Sequence, residues 1–131
     1  MLPVTWITIR LFLHVTAAAV WVGGQLALAG LVPVLRRIDP EALRAVARRF
    51  GVIAWSAFAV VVATGTWNVV EVEPAWDQEY GRTLMAKLAV VAVSGVAAAL
   101  HSVARTRAVL ATFGALSALA ALAVVFLAVQ L

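Results

Sequence analysis

A run of apolar residues long enough to cross a lipid bilayer limits the folds that this chain can adopt. Residues 11–35 contain no Asp, Glu, Lys or Arg, and a membrane-spanning helix needs about 20 predominantly apolar residues. Three further apolar stretches follow. Of the 131 residues, 65% are hydrophobic and 12% are charged, and the mean hydropathy is +1.05. This composition excludes a water-soluble domain and predicts an integral membrane protein.

We predict an all-α fold in which four membrane-spanning helices form one up-and-down bundle, a single domain over residues 1–131. Short connecting segments favour antiparallel neighbours. Between the first two spans, Asp39 is predicted to cap the N-terminus of a helix whose first turn holds Pro40. Pro33 is expected to kink the last turn of the first helix. The predicted spans cover about residues 4–35, 50–70, 82–103 and 108–130.

Charged residues divide the connecting segments into two kinds. Arginines lie between the first and second spans and between the third and fourth, at positions 36, 37, 44, 48, 49, 105 and 107. The remaining segment is acidic, with Glu71, Glu73, Asp77 and Glu79. The positive-inside rule therefore predicts a multi-pass protein of a bacterial-type plasma membrane, with the arginine-rich loops cytoplasmic and both termini outside. Trp6, Trp67 and Trp76 would then form an outer aromatic belt.

Composition also narrows the chemistry. The net charge of +4 comes from loop arginines, and a mostly apolar chain offers no continuous basic face, so we expect no nucleic-acid partner. The chain has no cysteine, which excludes disulfides and thiolate metal sites. Met1 and Met85 are its two methionines, a poor supply of the soft ligands that Cu(I) prefers.

Polar residues inside the first span share one helix face. His14, Trp21 and Gln25 follow at steps of seven and four residues, which return to nearly the same angle on an α-helix. An ionisable residue inside a membrane is costly and is by default a candidate functional residue. The alternative is a neutral His14 that hydrogen-bonds a neighbouring carbonyl or hydroxyl and only fixes helix packing.

The other helices add polar groups at two depths. Thr64 and Asn68 lie one turn apart in the second span, and Lys87, Ser94 and His101 recur every seven residues in the third. From its distance to the arginine loop, His14 is expected near the outer surface, level with Lys87 and Asn68. His101 is expected near the inner surface, roughly 20 to 25 Å away, so the two histidines cannot ligate one metal ion.

Each histidine has an arginine one turn closer to the water, Arg10 for His14 and Arg105 for His101. Haem b needs an axial imidazole in the apolar zone and a cation near its propionates. The leading hypothesis is therefore a haem b with His14 as iron ligand on the outer side, Arg10 at the propionates, and Trp21 and Asn68 lining the pocket. A second haem would use His101 and Arg105 on the inner side. The alternative is that arginines simply cluster at helix ends.

Lys87 has three open interpretations. It could supply a second ligand to the iron, pair with an acidic loop residue, or extend its ammonium group toward the interface.

Several motifs together resemble the copper resistance protein D (CopD) family of four-helix membrane domains. They are Leu13-His14 through Trp21-Val22-Gly23-Gly24, then Arg48-Arg49-Phe50 leading to Thr64-Gly65, then Tyr80-Gly81-Arg82 followed by Lys87-Leu88. The first-helix histidine and third-helix lysine are also similar to HemJ-type protoporphyrinogen oxidases, whose functional residues would map to His14 and Lys87. The first resemblance implies copper handling, and the second implies haem binding and porphyrinogen oxidation.

Three functions follow as hypotheses. The first is a haem-b membrane protein with a redox or electron-transfer role; if it is an enzyme, it is a haem-dependent membrane oxidoreductase. The second is copper transport or resistance, with an outer ion site at His14, Thr64, Asn68 and Lys87, although a buried ammonium repels a bare cation unless it is deprotonated. The third is a non-catalytic subunit of a larger membrane complex. Expected partners are the lipid bilayer, a redox partner or respiratory complex, and a second copy of the chain.

Overall fold

The computed structural model describes residues 3–72 and 79–129, which form four α-helices and no strand. All four helices are long and apolar enough to cross a membrane. This confirms the predicted all-α membrane fold. Their bounds are α1 Trp6–Ile38, α2 Pro40–Val72, α3 Glu79–Val103 and α4 Arg107–Val129.

The helix boundaries follow from local sequence signals. At the start of α1 the Thr5 side chain accepts a hydrogen bond from the Thr8 backbone N–H at 3.3 Å, and Thr8 caps in return. Asp39 alone separates α1 from α2, and its Oδ1 accepts the N–H groups of Glu41 and Ala42 at 2.9 and 3.1 Å. These bonds confirm the predicted N-cap, since the first N–H groups of a helix have no partner within it.

The end of α1 differs from the prediction, whereas the start of α2 agrees with it. α1 continues past Pro33 to Ile38, because a proline removes only one backbone N–H and the following turn keeps its remaining bonds. α2 begins at Pro40 and joins the arginine-bearing turns and the apolar span in one helix of 33 residues. Trp76 and the acidic residues Glu73 and Asp77 lie outside the described residues.

The helices are arranged in two compact units, each an antiparallel helical pair. α1 packs with α2 within Met1–Val72, and α3 packs with α4 within Glu73–Leu131. The association of all four helices into one bundle stays a prediction from the sequence.

In the first unit, small and aromatic side chains bring α1 and α2 together. Ala17 of α1 is buried with Ala57 and Val61 of α2. One to two turns further along, the buried Trp21 ring lies 4.6 Å from the Phe58 ring centroid and 5.7 Å from that of Trp55. Tilted aromatic pairs at such distances add to the stabilisation from burial.

In the second unit, two serines join α3 to α4 by a reciprocal pair of hydrogen bonds. Ser94 Oγ donates to the Ser117 carbonyl and Ser117 Oγ donates to the Ser94 carbonyl, both at 3.1 Å. The two side chains are 1% and 2% exposed. Near them in sequence, α3 and α4 bury further small residues: Gly95, Ala97, Ala120 and Ala121. Small residues let two backbones approach closely enough for such bonds to form.

The serine pair predicts a measurable loss of stability. Ser94→Ala removes one interhelical hydrogen bond and should lower the free energy of unfolding by about 0.5–1 kcal/mol. Unfolding of the purified protein in mixed micelles measures it. Ser102→Ala is the matched control, because Ser102 lies on the same helix but bonds only the Ala99 carbonyl of its own turn, at 2.7 Å. Equal losses for the two variants would contradict the assignment.

Candidate metal-binding site

His14 and Thr64 link α1 to α2 by a side-chain hydrogen bond. His14 Nδ1 lies 2.8 Å from Thr64 Oγ1, and the histidine is half-buried while the threonine is buried. The ring lies against Gly65, where an added Cβ would stand 3.4 Å from His14 Cε1. Asn68, one turn beyond Thr64, is half-buried on the same helix.

The partners of Thr64 determine where the proton of a neutral His14 ring lies. Thr64 Oγ1 is 2.6 Å from the Val60 carbonyl and 3.3 Å from that of Val61. Carbonyl oxygens only accept, so the single hydroxyl proton of Thr64 is donated to them. The Thr64 oxygen then accepts from His14, whose Nδ1 carries the proton. In this tautomer the lone pair is on Nε2, the nitrogen through which the ring can bind a metal.

This arrangement is the one that metal-binding histidines usually have. A histidine ligand commonly donates its second ring N–H to a neighbouring oxygen, which fixes the ring orientation and raises its basicity. The bond to Thr64 also matches the packing role that the sequence left open as an alternative. The geometry alone is therefore compatible with both roles.

Arg10 lies one helical turn before His14 on α1. Its side chain is 7% exposed, and its Nε has no hydrogen-bond partner among the described residues. The guanidinium carbon stands 5.5 Å from the ring centroid of Trp67 on α2, within the range of a cation–π interaction. The Trp67 indole N–H donates to Glu71 Oε1 at 3.1 Å.

Trp21 and Gln25 lie further along α1. Trp21 packs in the aromatic cluster with Trp55 and Phe58, and Gln25 Nε2 donates to the Trp21 carbonyl at 3.1 Å. Seven residues of helix separate Trp21 from His14, about 10 Å along the axis. The predicted role of Trp21 in lining a pocket stays a prediction.

The remaining candidates belong to the second unit. Lys87 is half-buried on α3, and Arg105 is exposed between α3 and α4. His101 is exposed, and its Nδ1 donates to the Leu110 carbonyl at 2.7 Å. Gly114 makes room for its ring, since a Cβ there would lie 3.0 Å from Nδ1. His101 therefore ties the end of α3 to α4, and its role as a second haem ligand stays a prediction.

Two of these contacts were not anticipated from the sequence. The sequence predicts Trp67 in an aromatic belt but does not predict the contact between its ring and Arg10. The position of Trp67 one turn after the polar Thr64 was the signal that could have indicated an inward-facing ring. The bond between Ser117 and Ser94 was not predicted either, although a serine among small residues indicates close helix approach. Among the described residues, no group of three His, Cys, Asp or Glu side chains could hold a metal ion.

Comparison with protein families decides the classification. Residues 44–131 match the family model described as CopD, copper resistance protein D. The chain belongs to the CopD family. The matched segment includes Thr64, Asn68, Lys87 and His101, whereas Arg10 and His14 precede it. Searches of curated proteins and of solved structures give no match. The similarity to HemJ-type oxidases stays a prediction.

The tautomer assignment predicts a spectroscopic difference between two neighbouring threonines. Thr64→Val removes the acceptor for the His14 N–H and should shift the neutral ring toward the Nε2-protonated form, because only Nδ1 is held by Thr64. Long-range ¹H–¹⁵N correlation spectra of ¹⁵N-histidine-labelled protein in micelles report the tautomer.

Thr66→Val is the matched control, since Thr66 bonds its own helix carbonyl at 2.8 Å and is exposed. Thr64→Ser should restore the wild-type spectrum. A wild-type ring protonated on Nε2 would contradict the assignment.

Proposed function

We propose that this CopD-family membrane protein acts in copper handling, with His14 as a metal ligand on the outer side of the membrane. Family membership supports the copper function. The bond between His14 and Thr64 supports the choice of residue, because it orients the imidazole and directs its lone pair to Nε2.

A site built on one imidazole suits transfer of copper rather than storage. The imidazole nitrogen is a good ligand for copper, but tight sites combine several nitrogen or sulfur donors. With His14 as the contribution of α1, copper would keep ligands from its carrier or from another polar group of the same unit, such as Asn68. Weak binding of this kind allows the ion to be passed on.

The proposed location is a bacterial-type plasma membrane, with the arginine-rich loops cytoplasmic. The arginines at positions 36, 37, 44, 48 and 49 are all exposed, at or near the connection between α1 and α2. The number of arginines near this connection supports its placement in the cytoplasm, since positively charged loops are retained there. The start of α1, with Arg10 and His14, would then face the outside.

The copper proposal predicts a specific loss in the His14→Ala variant. Copper affinity of the purified protein should fall about 100-fold, since even a residue that only orients a ligand contributes 10–100-fold. In cells, the difference in copper content and tolerance between expressing and non-expressing strains should disappear. Competition with a chromophoric chelator and elemental analysis measure the two effects.

Thr66→Val, an exposed position in the same unit, is the control and should behave as wild type. Unchanged copper binding in His14→Ala, with the protein still folded, would contradict the proposal.

Haem b is a second candidate, favoured by the position of the buried Arg10 one turn from His14. A haem needs one axial imidazole and a cation for its propionates, and these two side chains fit both requirements. When bound, haem would supply a redox-active iron. His14 would hold the iron through Nε2, Thr64 would orient the imidazole, and Arg10 would neutralise a propionate.

The haem alternative predicts a coloured protein. After expression with ample haem, purified protein should show a Soret band that is lost in His14→Ala. The His101→Ala variant tests the second predicted site. The haem content of this variant should be half that of the wild type if two haems bind, and equal to it if one binds. A colourless wild-type protein would rule out haem and leave the copper proposal standing.

A further inference from the structure

Arg10 is a buried cation that is only partly compensated by the described residues. Its side chain is 7% exposed and its Nε lacks a hydrogen-bond partner among them. Arginine keeps its charge in proteins, so the desolvation free energy of the buried guanidinium must be offset by contacts. The Trp67 ring, 5.5 Å from the guanidinium carbon, offsets only part of this desolvation free energy through a cation–π interaction.

Among the described residues, the carboxylate of Glu71 is bonded to the Trp67 indole and not to Arg10. Glu71 Oε1 accepts the indole N–H of Trp67 at 3.1 Å, which places this carboxylate beside the indole nitrogen. The planar guanidinium has five donors arranged to bind oxyanions in a bidentate manner. A buried Nε with no partner among the described residues leaves such a donor available for a ligand.

We propose that Arg10 forms an oxyanion-binding site that takes a phosphate group. Arg10 is in the second turn of α1, about 6 Å along the axis from Trp6, and a membrane-spanning helix has its ends at the level of the lipid headgroups. The phosphodiester of an anionic phospholipid therefore lies at the depth of the guanidinium. Trp67 holds the cation in place from α2. The site requires no metal, so it is independent of copper binding.

The test is a metal-free titration of the whole protein in neutral detergent. Thermal unfolding and native mass spectrometry follow the addition of short-chain phosphatidylglycerol, phosphatidylcholine or inorganic phosphate. A ligand that binds the folded protein raises its melting temperature with concentration. Phosphatidylglycerol should raise it and should remain bound in the mass spectrum, with phosphatidylcholine weaker because its headgroup is neutral overall.

Arg10→Gln should weaken phosphatidylglycerol binding about tenfold or more, since charge-assisted hydrogen bonds are lost. Arg10→Lys should give an intermediate affinity, because an ammonium keeps the charge but not the bidentate geometry. Arg82→Gln is the matched control: Arg82 is also near the start of its helix, α3, but is exposed. It should bind as wild type. If Arg10→Gln does not fold, Arg10→Lys and the wild-type titration decide.

Each outcome has a defined meaning. Binding of phosphatidylglycerol without binding of inorganic phosphate supports a lipid headgroup as the source, and binding of both supports the same site open to soluble phosphate. No response of the wild-type protein to either ligand overturns the proposal. So does an equal loss in Arg82→Gln, or an Arg10→Met variant that is as stable as wild type and still binds the lipid.

Discussion

A polar group inside a bilayer has no water to bond with, so it must find its partner within the protein. This constraint accounts for the interhelical polar contacts of both units. In the first unit, His14 of α1 meets the hydroxyl of Thr64 on α2. In the second, Ser94 and Ser117 exchange bonds with each other's backbone. Apolar contacts alone would not fix the register, since lipid tails are as apolar as the side chains that they would replace.

The same constraint links packing to chemistry at His14. Thr64 gives its proton to the carbonyls of Val60 and Val61 in its own helix, as threonines within helices often do. Its oxygen is then an acceptor, which sets the proton of the neutral ring on Nδ1 and the lone pair on Nε2. A contact that stabilises the helix pair thereby leaves the lone pair on the nitrogen that a metal would use, so the same bond is compatible with both roles that the sequence left open.

The sequence was sufficient for the features that depend on local chemistry. Four apolar runs gave the four helices, and Asp39 before Pro40 gave the start of α2. It was also sufficient to recognise His14 as unusual and to identify the CopD family. It could not pair residues across helices, because the rotation and register of α1 against α2 depend on how close Gly24 comes to Phe50 and on the fit of Trp21 against Phe58.

Arg10 and His101 are two further residues whose contacts with a neighbouring helix could not be predicted from the sequence. Each was paired with its neighbour one turn away on the basis of helix periodicity. In the structure, each contacts the adjacent helix: Arg10 the Trp67 ring and His101 the Leu110 carbonyl. Contacts between helices are decided by packing over the whole unit, and this information is distributed over many small residues rather than carried by a motif.

Whether His14 Nε2 binds the metal can be measured by X-ray absorption at the edge of the metal that the purified protein carries, copper or iron. The wild-type protein should show the outer-shell scattering of a coordinated imidazole, and His14→Ala should lose it. A metal environment without imidazole, or one that His14→Ala leaves unchanged, would contradict it.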